Sequence, residues 1–202
     1  MKTILHLCAD TGSDSFPYKE AGYNVILVGS DLGVENYTPP ADVYGIFANP
    51  VCTEFSTARS SGKERNPEEG LFLVKECQRI IEQAKPFFWV IENPAKGVLK
   101  NYLGKPAYEY EPWWYGSPWT KRTALWGMFN IPERKYYKWE DVPKLEGLYQ
   151  RPGRGKPSLA FMHKSHYHKI PEFQHLLEPP NDMEFRSLCS QKFAKAFLSK
   201  NQ

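Results

Sequence analysis

Four short apolar runs, each breaking off in polar or turn-forming residues, constrain this chain more than any other feature. Residues 3–9 form the first and run into Asp10-Thr11-Gly12-Ser13. They read as a buried strand opening into a helix over residues 14–21, with Gly22 as its stop. Asn24–Val28 is a second strand and Val43–Ala48 a third, after a Pro39-Pro40 break. Before a fourth run at residues 87–91 comes the clearest helix, Pro67–Ala84. There Leu71, Val74, Cys77, Ile81 and Ala84 repeat at helical spacing, Glu68 and Glu69 complement the N-terminal dipole, and Lys85-Pro86 ends the period. Strands alternating with helices in this way predict an α/β fold with a mostly parallel sheet and helices on both faces. Ligands of such sheets bind beyond the carboxyl ends of the strands. Asp10, Cys52 and Glu92 all fall just past predicted strand ends, on that one edge.

The second half changes character. Residues 108–157 are rich in Trp, Tyr, Pro and Gly with few clear periods, and read as strands and long loops, with a strand at 123–126. Residues 151–169 carry five Lys or Arg, three His and no acid. Residues 183–200 read as one closing helix bearing Phe185, Leu188, Cys189, Phe193 and Phe197. At 202 residues one domain with an ample core is expected. The net charge of +3 does not by itself announce a nucleic-acid partner. Cys8, Cys52, Cys77 and Cys189 are scattered without a C-x-x-C pair, which argues against a disulfide framework and fits a reducing cytoplasm. The first ten residues hint at a signal peptide, but the apolar run is too short, His6 interrupts it and Asp10 follows. No stretch approaches a membrane span. His163, His166 and His168 have no Cys, Asp or Glu spaced to complete a metal site, so no metal is expected.

Two stretches carry chemistry. Asn49-Pro50-Val51-Cys52 places a thiol past the third strand, and Ile91-Glu92-Asn93-Pro94 places a carboxyl past the fourth. A free cysteine is most often a buried small hydrophobe, and a strand-end Glu a surface charge. Together on one ligand edge they suit covalent chemistry on a pyrimidine ring.

Five stretches in order resemble the C5-cytosine DNA methyltransferases, particularly the compact phage-type enzymes, and the resemblance runs nearly end to end. Leu7-Cys8-Ala9-Asp10-Thr11-Gly12-Ser13 is similar to the Gly-containing cofactor loop, and Pro50-Val51-Cys52 to the Pro-Cys nucleophile motif. Glu92-Asn93-Pro94 is similar to the Glu-Asn-Val motif, and Lys121-Arg122-Thr123 to the Arg-bearing motif after it. Residues 193–197 resemble the closing helix that packs back near the cofactor.

The resemblance implies a Rossmann-like, S-adenosylmethionine-dependent methyltransferase fold. Residues 1–127 would form the catalytic and cofactor-binding core, 128–183 a small irregular target-recognition-like region, and 184–202 a helix returning to the core. It also implies DNA as partner, S-adenosylmethionine as co-substrate without metal, and a monomer in the cytoplasm of a bacterial or phage-infected cell. Cys52 would add to carbon 6 of cytosine, making the ring enamine-like. A helix start or a nearby cation is expected to lower its pKa. Glu92 would act as general acid at the ring nitrogen, Asn93 would brace the nucleophile loop, and Arg122 would steady the base. Cofactor contacts would fall to Cys8, Asp10, Thr11, Gly12, Asp31, Glu35 and Pro50. Arg59, Lys63 and Arg65, in a long polar loop suited to closing over a flipped base, would bind DNA with Arg151, Arg154 and Lys156.

Three positions depart from the family pattern. Cys8 and Asp10 replace a Phe and a Gly of the cofactor loop, Gly29 stands where the second strand carries the ribose acid, and Val51 replaces a proline. Asp31 is the candidate to take over from position 29, and Gly33-Val34-Glu35 resembles the next motif, whose acid reads the adenine. The nucleophile half is thus better kept than the donor half, which leaves a donor-altered or catalytically lapsed DNA-binding relative as an alternative. Asn49-Pro50-Val51-Cys52 also echoes the Asn-Pro-Pro-aromatic motif of amino-directed methyltransferases, a scheme with no role for Glu92-Asn93.

Overall fold

The computed structural model describes residues 1–9, 11–56, 66–176 and 178–202. Six strands form one sheet in the order β2-β1-β3-β4-β6-β5. They are β1 (Thr3–Leu7), β2 (Asn24–Val28), β3 (Val43–Ala48), β4 (Phe88–Pro94), β5 (Tyr108–Tyr110) and β6 (Thr123–Met128). The β1–β2, β1–β3 and β3–β4 pairs are parallel, whereas β6 runs antiparallel to both β4 and β5. The expectation of a Rossmann-like, mostly parallel α/β sheet is met. The strand order reverses at β1, so the crevice between the carboxyl ends of β1 and β3 is the topological switch point.

Side-chain alternation along each strand sorts the core into two layers. On one face Leu5, Leu7, Ile46, Ala48, Ile91 and Trp126 pack with Val74, Cys77, Ile80 and Ile81 of α2 (Pro67–Ala84). On the other, Ile4, Phe47, Val90 and Leu125 pack with Tyr18 of α1 (Phe16–Glu20) and with Phe193 and Phe197 from the end of the chain. A third cluster gathers Trp119, Leu159, Met162, Tyr167, Ile170, Phe173, Phe185 and Leu188 from the irregular second half.

Helix α2 begins and ends where its sequence says. The Asn66 side chain accepts the Glu69 N–H, Pro67 occupies the first turn, and Lys85 closes the helix with φ 45°. Elsewhere local geometry moves the boundaries. Strand β1 stops at Leu7 because Cys8 turns into the left-handed region at φ 52°. Strand β4 starts at Phe88 and continues through Glu92, Asn93 and Pro94, because β6 pairs with it as far as Pro94–Thr123. Glu92 therefore lies within a strand, not past its end. A short helix α3 (Lys100–Leu103) follows.

The single closing helix expected over residues 183–200 is two. They are α4 (Asp182–Ser187), opened by an Asn181–Glu184 capping box, and α5 (Gln191–Lys200), capped by the Ser190 side chain. The break has a packing cause. Phe185 and Leu188 belong to the third cluster, whereas Cys189, Phe193 and Phe197 belong to the sheet core, so the chain turns between two cores. Among the described residues no helix is long and apolar enough to cross a membrane.

Candidate active site

The loop leaving β3 is held from three sides. Asn49 N–H donates to Leu7 C=O at 3.0 Å, carrying the β1–β3 pairing one step past the strand. Asn93, fully buried on β4, donates its Nδ2 to Pro50 C=O at 3.1 Å. Phe55, also fully buried, packs into the α2 layer, and its C=O accepts the Val98 N–H at 2.9 Å. Gly97 and Gly70 make room for this anchor: a Cβ on either would approach Phe55 within 2.9 and 2.7 Å. Between these supports Cys52 begins a tight turn, its C=O accepting the N–H groups of Phe55 and Ser56. Its thiol is half-buried and free.

Cys52, Glu92 and Lys121 act on one another. Burial, and then the Glu92 charge, push the Cys52 thiol up, against a smaller downward pull from Lys121. Burial pushes the Glu92 carboxyl up to about 7; Lys121 opposes this, Asp14 adds to it, and a hydrogen bond with Thr123 opposes it. The lowered thiol pKa expected from the sequence is therefore reversed: the cation is present, but desolvation and a neighbouring carboxylate outweigh it.

The charge at this site comes from Lys121. Arg122, on the other side of the strand start, pairs with Glu109 at 2.9–3.0 Å and is half exposed. The Lys121 ammonium donates to the C=O groups of Ser187 and Leu188, and the Lys121 N–H donates to the Glu111 carboxylate at 3.0 Å. Period-2 alternation puts Lys121, Thr123 and Leu125 on the Glu92 side, Leu125 being its direct cross-strand partner.

Behind Glu92 lies a buried polar group that the sequence reading did not single out. His6 meets Ser15 Oγ through Nδ1 at 2.9 Å and Asn49 Oδ1 through Nε2 at 3.1 Å. The Asn49 amide donates to Asp14 Oδ2 at 3.2 Å. The signal was a histidine inside an otherwise apolar strand, since a buried imidazole demands partners. The break between α4 and α5 closes over this group: Cys189 N–H donates to Ser13 Oγ, and Gln191 Nε2 to Ser13 C=O at 2.7 Å.

Of the residues expected at the cofactor, Cys8, Thr11 and Gly12 follow β1 and Pro50 follows β3, on the two sides of the switch point, whereas Asp31 and Glu35 follow β2. Thr11 is half-buried, and Gly12 takes φ 69° against Leu27, where a side chain would be strained. Cys8 places its Sγ 3.8 Å from that of Cys77 on α2. Past β2, a Cβ at Gly29 would lie 3.1 Å from Asp31 Oδ1, so the Asp31 carboxylate reaches the space beside position 29. The Glu35 carboxylate folds over Gly33, and Arg79 of α2 braces this loop through the C=O groups of Val34 and Tyr37. Asp10, Arg59, Lys63 and Arg65 lie outside the described residues. Arg151 sits over the Phe161 ring at 4.4 Å, Arg154 is exposed, and Lys156 lies against Trp113 and Trp139. His163 pairs with Asp182 at 3.5 Å, and among the described residues no three His, Cys, Asp or Glu side chains gather as a metal site.

The chain is similar to the probable DNA (cytosine-5)-methyltransferase of Frog virus 3 (isolate Goorha), 31% identical over 126 residues. That alignment takes in 50% of this chain and 57% of the viral protein, so the chain spans little more than half its relative's length. No family model matches the chain. Among solved structures, a DNA modification methyltransferase encoded within an E. coli prophage aligns over 65% of this chain and 49% of its own. The TM-score is 0.47 at 14% identity, too slight a likeness to carry an argument.

Two outcomes follow from the geometry. Lys121→Met should move the Cys52 thiol further up, and Arg122→Met should leave it in place, read from the pH dependence of iodoacetamide labelling. Equal shifts in the two variants would remove Lys121 from the site. Glu92 stands above its ordinary value of 4.5, so the folded state binds more protons than the unfolded between there and about 7. Stability is therefore lost as pH rises through that window. Glu92→Gln should gain on wild type in urea unfolding at pH 8 but not at pH 4; a gain independent of pH would contradict the shift.

Proposed function

We propose that the chain is a DNA (cytosine-5)-methyltransferase working through a covalent Cys52 adduct. The observation that carries this reading is the thiol and carboxyl held on one sheet edge, each pushed up by burial, with one cation bearing on both. The similarity to the viral protein supports the same reading.

In the proposed chemistry the Cys52 proton passes to the Glu92 carboxylate, leaving a thiolate and a carboxylic acid. Cys52 Sγ bonds to carbon 6 of a cytosine turned out of its stack, Glu92 returns the proton to the ring nitrogen, and electron density gathers at carbon 5. S-adenosylmethionine, when bound, would supply an electrophilic methyl group, its sulfur departing as a neutral thioether. Loss of the carbon-5 proton to water, rupture of the bond between Cys52 Sγ and carbon 6, and return of the ring-nitrogen proton to the Glu92 carboxylate restore a neutral methylated ring and the thiolate. Lys121 favours both anionic forms of the pair. Asn93 holds the loop that carries the thiol. An exposed pair such as Arg122–Glu109 is worth little, so Arg122 is free to turn to the base.

The donor would lie at the switch point, against Cys8, Asp10, Thr11, Gly12 and Pro50, with Asp31 at the ribose and Glu35 at the adenine. The carboxylate beside position 29 is the observation in favour: the acid is supplied two residues late, where the family has it on the strand end. DNA would run over Arg151, Arg154 and Lys156 and the loop bearing Arg59, Lys63 and Arg65. Residues 128–183 would serve target recognition and 184–202 the return to the core. The amino-directed scheme is disfavoured, because the Asn49 amide it needs is spent on His6 and Asp14.

DNA carrying 5-fluorocytosine should trap a covalent complex with wild type and none with Cys52→Ser. Wild type that gives no adduct with any donor sinks the reading. Calorimetric titration with S-adenosylmethionine should show binding weakened about tenfold or more in Asp31→Ala, the worth of a charged hydrogen bond. Unchanged affinity would take Asp31 out of the donor site.

A further inference from the structure

Residues 134–156 hold seven Lys or Arg against three acids, an excess larger than the +3 of the whole chain. Three of these cations, Arg134, Lys144 and Lys156, sit on indole rings. Trp113 and Trp139 meet edge to face at 6.2 Å, and the Lys156 ammonium lies 4.4 Å from the centre of one ring and 5.3 Å from the other. Lys144 lies 4.2 Å from Trp139, and Arg134 stacks on the neighbouring Trp114 at 3.1 Å. Tyr137, two residues before Trp139, is 74% exposed. This corner is tied to the Cys52–Glu92 edge. Pro157 C=O accepts the Thr120 N–H at 2.9 Å, Leu159 N–H returns to Thr120 C=O at 3.1 Å, and Lys121 follows directly in the chain. The Lys156 charge is also felt at Glu111, which holds the Lys121 N–H.

We propose that the Trp113–Trp139 corner, with Lys144 and Lys156, is a docking platform for unpaired, single-stranded nucleic acid beside the Cys52–Glu92 site. The proposal rests on the nucleic-acid reading of that site and adds the form of the substrate. A duplex presents phosphates, which need cations alone, and keeps its base faces stacked inside. A single strand exposes those faces, and clustered indoles among cations serve a ligand that has both phosphates and open rings. In the free protein the ammonium groups lie against the ring faces. On binding they move to phosphates, and bases take their place on the indoles.

The test is fluorescence anisotropy with a labelled single strand of about 12 nucleotides, its duplex, and an abasic strand of equal length. The single strand should bind about tenfold tighter than the duplex, and Trp139→Ala should remove about that factor while sparing the abasic strand. Lys156→Gln should weaken single strand and abasic strand alike, and Trp139→Phe should restore most of the loss. If Trp139→Ala proves unfolded by circular dichroism, wild-type indole emission decides: quenching by the base-bearing strand and not by the abasic one supports the platform. Equal quenching by both overturns it. Duplex bound as tightly as single strand, or Trp139→Ala matching wild type on the single strand, overturns the platform and leaves the methyltransferase reading standing. Binding to neither form overturns both.

Discussion

The antiparallel pairing of β4 with β6 is the constraint on which the site depends. Without it β4 would end near Ile91, and Glu92 would be a frayed carboxylate at a sheet edge. Pairing as far as Pro94–Thr123 keeps Glu92 inside a hydrogen-bonded strand, opposite Leu125 and within reach of the Thr123 hydroxyl. The same pairing delivers Lys121 to that side, two residues before Thr123. Holding a carboxyl there strips it of water, and the carboxyl responds by keeping its proton up to about pH 7. A rigid strand thus supplies both the position of the acid and its tendency to stay protonated.

A second tie runs through the break between α4 and α5. Its C=O groups hold the Lys121 ammonium, and the Cys189 N–H and the Gln191 side-chain amide hold Ser13, next to Asp14 and the proposed donor loop. Glu172 completes the joint: its carboxylate accepts from Ser117 Oγ and from the Gln191 N–H, and Ser117 in turn meets Ser190 Oγ at 2.6 Å. The last twenty residues therefore fasten the irregular half to the sheet at the point where chemistry is proposed. That is a reason for two short capped helices in place of one long one.

Much of this was legible in the chain. The β2, β3 and α2 spans can be read to the residue, because period-2 and period-3.6 patterns bounded by Asn, Gly and Pro are local signals. The proximity of Cys52 and Glu92 followed from the rule that parallel strands present their carboxyl ends together. Other features were not legible. The left-handed turn at Cys8 and the extension of β4 depend on partners far along the chain. Lys121 and Arg122 are adjacent basic residues, and only the register of β6 decides which one faces Glu92. The upward shift of the thiol was misjudged from sequence, because a neighbouring cation can be guessed from residue types but burial cannot.

By itself the sequence determined the layering of helix and strand and the edge on which the thiol and the carboxyl meet. These rest on periodicity and chain order, which one residue string contains. Tertiary structure alone decided the protonation balance of Cys52 and Glu92, the choice of Lys121 over Arg122, and the His6–Asn49–Asp14 group behind them. Each of those depends on desolvation and on distances between segments as far apart along the chain as Asp14 and Glu92, quantities that exist only once the sheet has closed and water has left.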